Sequence, residues 1–218
     1  MTLPPRRLAI LGATGSIGTQ AIEVVRQLRA RGEPVEVVAL AAGRQVAPLA
    51  AFARELGAKL VSVAGPEEEA TIRSLLPPGI EVVCGPEGLE RTATHPEADL
   101  VLNAVVGARG LRATLAALQA GKTLALANKE SLVVGGELVL AARQRPDQII
   151  PVDSEHAALF QLLAGTRREE VERLWITASG GAFRDRTPEE LASVTPQEAL
   201  AHPTWRMGPA SQWTRPPW

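Results

Sequence analysis

The sequence predicts an α/β fold: a doubly wound parallel sheet over residues 1–150, followed by a partial α+β region of different rhythm. Three observations predict it. Short apolar runs alternate with amphipathic stretches of helical length. A glycine-rich segment, Gly12-Ala13-Thr14-Gly15-Ser16-Ile17-Gly18, falls between the first apolar run and the first amphipathic stretch. Polar clusters follow the later apolar runs, at the strand ends where α/β proteins display chemistry.

The elements follow in order. Arg7–Leu11 reads as a buried strand and Ser16–Arg31 as a helix, with Ile17, Ile22, Val24, Val25 and Leu28 at its apolar positions. Val35–Ala41 is a second strand and Val46–Leu56 a second helix. Leu60–Val63 is a third strand, and Glu67–Leu76 a helix stopped by Pro77-Pro78-Gly79. Glu81–Cys84, Leu100–Asn103 and Thr123–Leu126 are further strands, with helices around Pro86–Arg91 and Leu111–Ala120 between them. Gln148–Val152 is one more strand, leading through Asp153-Ser154-Glu155-His156 into a helix from Ala157. Beyond it, Arg173–Ala178 reads as a strand ending in Ser179-Gly180-Gly181. Thr187-Pro188-Glu189-Glu190 and Thr195-Pro196-Gln197-Glu198 read as capped helix starts, with Thr as N-cap and Pro at the first helical position.

Composition excludes several classes. The net charge is −1, so no global field favours nucleic acid or an acidic membrane surface. Cys84 is the only cysteine, which excludes an intramolecular disulfide and a cysteine-rich metal site; it is expected as a small buried hydrophobe. No run of roughly 18 apolar residues suggests a membrane span. No signal-peptide pattern is visible, so the cytoplasm is the expected compartment.

The glycine segment has the strand–turn–helix setting that a dinucleotide site needs. Its glycines let the backbone turn tightly and approach a pyrophosphate at the helix N-terminus. This makes the first 150 residues Rossmann-like. After the second strand come Ala42-Gly43-Arg44-Gln45, with no Asp or Glu to take a ribose 2′-hydroxyl. The Arg44 guanidinium suits a 2′-phosphate instead, so NADP(H) is expected over NAD(H). A solvated loop arginine is the plainer alternative.

Asp153 and Glu155 can converge on one hard cation, with Ser154 facing an anionic substrate from the helix start. Equally, Asp153 or Ser154 can serve as an ordinary N-cap, with Glu155 in the first turn beside the positive end of the helix dipole. Lys129 and Glu130, after the strand Thr123–Leu126, read either as chemistry or as a solvated helix start. His156 could orient Glu155 from behind or be a plain helix-surface or interhelical histidine, and His95 is given no role.

Together these clusters form an ordered series. Gly12–Gly18, Asn128-Lys129-Glu130-Ser131, Pro151-Val152-Asp153-Ser154-Glu155-His156, Thr177-Ala178-Ser179-Gly180-Gly181 and His202-Pro203-Thr204-Trp205-Arg206-Met207-Gly208 follow one another along the chain. On them, the sequence resembles the 1-deoxy-D-xylulose 5-phosphate reductoisomerase family from its first strand to about Gly208. The resemblance implies an NADPH-dependent enzyme that also needs Mg²⁺ or Mn²⁺. It would isomerise and reduce 1-deoxy-D-xylulose 5-phosphate to 2-C-methyl-D-erythritol 4-phosphate, in non-mevalonate isoprenoid synthesis. It implies Thr14, Gly15, Ser16 and Ile17 at the cofactor phosphates, with Gly12 and Gly18 shaping the turn. Gly43, Arg44 and Gln45 would lie at the adenosine end, and Asn128, Glu130 and Gly208 elsewhere on the cofactor. Lys129 would bind substrate near the reacting oxygens. Asp153 and Glu155 would be metal ligands, Glu155 also touching substrate. Ser154, Ser179 and His202 would bind substrate, and Trp205 and Met207 would close over it. A homodimer is implied for the full-length form. A semialdehyde dehydrogenase would need a catalytic cysteine, and Cys84 comes too early; a non-catalytic nucleotide-binding module is the other alternative.

The resemblance stops at the tail. The family continues after Met-Gly with a segment near Val-Thr-Val-Asp-Ser-Ala-Thr-Leu, which leads to phosphate ligands and a third metal carboxylate. Here the chain reads Ser211-Gln212-Trp213-Thr214-Arg215-Pro216-Pro217-Trp218. A single-base shift of one possible coding sequence turns these residues into Thr-Val-Asp-Ser-Ala-Thr-Leu. Residues 210–218 are therefore expected to be an out-of-frame tail, with 1–150 the cofactor domain and 151–209 a partial catalytic domain. The chain as written is expected to bind NADPH weakly and to turn over little.

Overall fold

A computed structural model describes residues 6–176 and 181–201. The chain divides into two compact units, Met1–Gly165 and Thr166–Trp218.

The first unit alternates strand and helix: β1 (Arg6–Leu11), α1 (Ser16–Ala30), β2 (Val35–Ala41), α2 (Val46–Leu56), β3 (Leu60–Val63), α3 (Pro66–Leu75) and β4 (Glu81–Cys84). Then come α4 (Gly85–Ala93), β5 (Leu100–Asn103), α5 (Gly110–Gln119), β6 (Thr123–Leu126), α6 (Glu130–Ala142), β7 (Ile149–Pro151) and α7 (Ser154–Leu163). The strands form one sheet in the order β4-β3-β2-β1-β5-β6-β7. Every neighbouring pair is parallel. Continuous apolar runs such as Val37–Ala41, buried throughout, are what a sheet covered on both faces requires. Successive side chains alternate between the faces. Leu8 and Ile10 of β1 pack with Ile22 of α1, Leu49 of α2 and Ile72 of α3. Ala9 and Leu11 pack on the other face with Ala93 of α4, Leu118 of α5 and Val139 of α6. The order reverses direction between β1 and β5, which is where a doubly wound sheet opens a crevice at its carboxyl edge.

Some side chains depart from the periodic reading. Ile17 and Val24 are exposed on α1, while Ile22 and Val25 carry its buried face. The last strand is shorter than the apolar run, because Gln148 serves as a buried tie rather than a strand residue. Its Nε2 donates to Leu118 O at 2.8 Å and Lys122 O at 3.0 Å, and its Oε1 accepts from Gln144 N at 2.7 Å. Cys84 is half-buried, not buried. Its thiol donates to Glu69, which raises its pKa, and desolvation adds to the rise.

His95 lies between α4 and β5 and is 8% exposed. Its Nδ1 accepts from Glu97 N at 3.3 Å. Burial lowers its pKa; Glu97 opposes the fall, and Lys59 and Lys122 add to it. The folded imidazole therefore stays neutral where the unfolded one, with an ordinary pKa of about 6.5, takes a proton. The stability this neutrality supports is present above that value and declines as pH falls below it, until the folded imidazole also protonates. Urea melts across about pH 7.5 to 5 should show that decline, and His95→Gln should flatten it. Equal slopes in both proteins would remove His95 from the account.

In the second unit a 3₁₀ turn spans Arg168–Glu170, followed by α8 (Pro188–Leu191) and α9 (Pro196–Leu200). Both helices start as expected. Thr187 N donates to Glu190 Oε2 at 2.7 Å and Thr187 Oγ1 accepts from Glu190 N at 3.4 Å; Thr195 and Glu198 repeat the exchange at 2.8 and 3.3 Å. Arg186 pairs with Glu198 at 2.6 Å and lies over the Phe183 ring. That guanidinium, helped by Thr195, holds Glu198 down to about 2. The strand expected at Arg173–Ala178 is not formed over its described part, 173–176. Leu174, Trp175 and Ile176 are 51%, 79% and 63% exposed, so among the described residues no strand or core covers this apolar run. Among the described residues no helix is long and apolar enough to cross a membrane.

Candidate functional site

The site is built along the carboxyl edge of the sheet. After β1 the chain turns at Gly12, whose φ is +85°, a conformation that favours glycine. Gly12 N and Ala13 N both donate to Ala41 O at 2.8 Å, which anchors the turn to the end of β2. A Cβ on Gly18 would lie 2.2 Å from Gly12 O, so α1 starts with its first turn directly against the loop. Gly15 is the N-cap, with no side-chain cap, and the first turn holds no acidic residue. Gly15, Ser16 and Ile17 are exposed. A helix N-terminus left open in this way suits a phosphate.

The adjacent strand brings the second element. Leu11 pairs with Ala41, so Gly43 and Arg44 follow beside the glycine turn. Both are exposed, and nothing lies within 4 Å of where a Gly43 Cβ would stand. Gln45 is the N-cap of α2 and makes no side-chain cap bond.

On the other side of the crevice, Leu126 pairs with Pro151, and Val152 N donates to Leu126 O at 3.0 Å. The chains leaving β6 and β7 therefore run side by side, and Lys129 Nζ meets Asp153 Oδ2 at 2.6 Å. Asp153 occupies the N-cap position of α7, but its side chain makes no cap bond. Asp153 thus holds the cap position without a side-chain cap bond, and its carboxylate is turned onto Lys129. Its burial works to raise its pKa, but the hydrogen bond and charge of Lys129 outweigh this and hold it below the usual carboxylate range. Glu155 adds to that lowering, and its Oε2 accepts from Ser154 Oγ at 2.7 Å. His156 Nδ1 stands 4.0 Å from Asp153 Oδ1, beyond a hydrogen bond.

Asn128, expected at the cofactor, is tied into the protein. It is 2% exposed, and its Nδ2 donates to Val105 O, to Gly107 O at 2.9 Å and to Glu130 Oε2 at 3.2 Å. Its amide nitrogen is bonded within the protein, and Glu130 beside it is half-buried. Ser179, His202, Trp205, Met207, Gly208 and residues 210–218 lie outside the described residues.

The groups present fit the two expected ligands. Two carboxylates at one helix start, Asp153 and Glu155, beside the Lys129 ammonium, are oxygen donors of the kind that could hold a hard cation retaining waters. Among the described residues no group of three or more His, Cys, Asp or Glu is gathered to hold a metal. The open α1 N-terminus and Arg44 fit a phosphorylated dinucleotide.

Sequence reasoning missed Asn103, Thr114 and Ser131, which are buried under the crevice. The available signal was an asparagine closing the otherwise apolar run Leu100-Val101-Leu102.

A parallel sheet of this order, with a glycine turn at the point where it reverses, defines a dinucleotide-binding α/β protein. The family model for 1-deoxy-D-xylulose 5-phosphate reductoisomerase matches residues 8–136, and the model for that enzyme's C-terminal domain matches residues 149–212. The chain belongs to the 1-deoxy-D-xylulose 5-phosphate reductoisomerase family. It is 53% identical over 207 residues to the reductoisomerase of Symbiobacterium thermophilum, covering 92% of this chain and 52% of the relative. It is 55% identical over 211 residues to that of Kitasatospora griseola, covering 93% and 53%. The solved reductoisomerase of Zymomonas mobilis in complex with NADPH superposes with a TM-score of 0.82 at 42% identity, over 92% of this chain and 52% of that one. A reductoisomerase structure with NADPH, fosmidomycin and magnesium gives 0.77 at 35% identity, over 95% and 53%. The chain thus spans about half the length of the relatives it matches.

Proposed function

We propose that this chain carries the cofactor half and two metal carboxylates of an NADPH- and divalent-metal-dependent 1-deoxy-D-xylulose 5-phosphate reductoisomerase. The observation that carries the proposal is Asp153, which leaves its own helix uncapped and faces Lys129 at 2.6 Å on the edge that also holds the glycine turn. Gly12–Gly18 and the α1 N-terminus hold the pyrophosphate. Arg44 pairs with the 2′-phosphate through charge-assisted hydrogen bonds. Glu130 meets the cofactor beside β6. Asp153 and Glu155 hold Mg²⁺ or Mn²⁺. Lys129 and Ser154 orient the substrate oxygens, and the Lys129 ammonium offsets charge that builds on them. When bound, the cation supplies Lewis acidity at those oxygens and the nicotinamide supplies the reducing equivalents. Ser179, His202, Trp205 and Met207 complete the substrate side, and Gly208 the cofactor side. The completed protein is a homodimer of the cytoplasm in this reading, with domain limits near residues 150 and 209.

The test is metal-dependent NADPH oxidation with 1-deoxy-D-xylulose 5-phosphate, by this chain and by this chain joined to the C-terminal half of the Symbiobacterium relative. Both should bind NADPH, and the joined protein should consume it only with sugar phosphate and cation present. A joined protein that binds NADPH yet leaves the sugar phosphate untouched would sink the proposal. Cofactor choice has its own test. Arg44→Ala should weaken NADPH by about 10- to 100-fold, the range of a lost charged hydrogen-bonding group, and leave NADH nearly unchanged. Equal losses for both cofactors would take the 2′-phosphate away from Arg44.

A further inference from the structure

The loop between β5 and α5 is gripped by two buried asparagine side chains. Asn103, at the end of β5, accepts from Val105 N at 3.2 Å through Oδ1 and donates from Nδ2 to Gly110 O at 3.0 Å. Asn128, just after β6, donates to Val105 O and to Gly107 O. Four backbone groups of one six-residue stretch, 105–110, are thus held from two sides. The asparagines are also joined to each other. Asn103 Nδ2 donates to Thr114 Oγ1 at 2.9 Å, Thr114 Oγ1 donates to Ser131 Oγ at 3.3 Å, and Ser131 Oγ donates to Asn128 Oδ1. The chain of donors runs one way, so each bond polarises the next. All four side chains are at most 2% exposed. Gly110 leaves no space in the assembly: a Cβ there would stand 2.9 Å from Asn128.

The placement gives this relay a purpose beyond packing. The loop leaves β5 at the point where the sheet reverses, opposite the glycine turn. A Cβ on Gly12 would lie 2.5 Å from Ala104 O, so the two loops touch. The same relay ends beside Lys129 and Glu130. A dinucleotide lying across the switch point has its adenosine half over β1 and β2, and its other half over the loops after β5 and β6.

We infer that Asn103, Thr114 and Ser131 are positioning residues for the nicotinamide half of the cofactor: they fix the 105–110 loop against the β6–α6 turn without touching the ligand. The inference rests on the NADPH reading proposed above. A group acting this way should change affinity for whole NADPH and leave the adenosine half alone.

The test uses the full 218-residue chain, with NADPH and 2′,5′-ADP as separate probes. Thr114→Val breaks the relay and keeps the shape; Thr114→Ser keeps the hydroxyl. Thr114→Val should weaken NADPH about tenfold, the size of one lost hydrogen bond, with 2′,5′-ADP within about twofold. Hydrogen exchange of the Val105, Val106 and Gly107 amides should quicken in parallel without ligand. Thr114→Ser should behave as wild type in all three. Equal losses for both probes, or no loss with unchanged loop exchange, overturn the positioning role. Should Thr114→Val fail to fold, Ser131→Ala is read by the same criteria. Wild-type chain that binds neither probe overturns the cofactor reading, and this inference with it. Wild-type chain that binds both while the variants show equal losses overturns the inference alone.

Discussion

Gly18→Ala should lose NADPH binding and about 3 kcal/mol of stability, the upper end for overpacking a tight contact. The added Cβ would stand 2.2 Å from Gly12 O and 2.7 Å from Ala13 C and Cα, all backbone. None of these atoms can yield separately. Gly12 N and Ala13 N are tied to Ala41 O, and Ala104 N is tied to Leu11 O at 2.9 Å. Relief must come from α1, whose Ile22 and Val25 are locked in the core. Alanine would bring about 1 kcal/mol of helix propensity, too little to offset the clash. Gly15→Ala is the contrast. Its Cβ meets only Gly12 O, at 3.3 Å, and its φ of −80° suits any residue. That variant should keep its stability within about 1 kcal/mol while binding NADPH less well, because the methyl faces the open helix start. Urea melts paired with NADPH titration separate the two effects. Wild-type stability in Gly18→Ala would mean that the turn does not sit on the helix as described.

The sheet was legible because its strands are buried on both faces. Leu60–Val63 and Leu100–Asn103 read as mostly apolar runs, interrupted only by Ser62 and closed by Asn103, with glycine or proline stops nearby, and their limits match the structure. The glycine turn was legible because three glycines fall where a strand hands over to a helix. Tertiary pairing was not. Nothing local marks Gln148 as a tie between α5 and the start of β7, or Asn128 as a clamp on a loop 21 residues earlier. Such residues look like ordinary loop polars until the register places two strand ends side by side. The apolar run at 173–176 failed for the opposite reason. Its pattern suits a strand, but a strand needs a neighbour, and burial rather than propensity decides. Asp153 lies between these cases. The sequence offered cap or ligand; it is the pairing of Leu126 with Pro151 that brings Lys129 across to the Asp153 carboxylate, and no local pattern announces that contact.

Asp153→Asn should lower affinity for Mn²⁺ or Mg²⁺ about 100-fold, measured by calorimetric titration of the NADPH-loaded chain, while leaving the melting temperature nearly unchanged. The two halves of this expectation come from the same geometry. Lys129 is 42% exposed at its side chain, so its bond to Asp153 is screened by water and contributes at most about 1 kcal/mol to folding. Removing the charge of Asp153 therefore costs the fold little. For a hard cation the loss is larger, because one of the two carboxylates goes and an amide oxygen replaces it. Lys129→Met should act in the other direction. In the free chain the ammonium lies 2.6 Å from Asp153 Oδ2 and competes for the same oxygen. Without it, Asp153 is left as an open anion, and the cation should bind several-fold more tightly even though substrate orientation is lost. Opposite signs for two variants of one ion pair are hard to obtain from a generally loosened site. If both weaken the metal, Lys129 helps to build the cation site rather than competing for it; if neither changes it, the cation is held elsewhere.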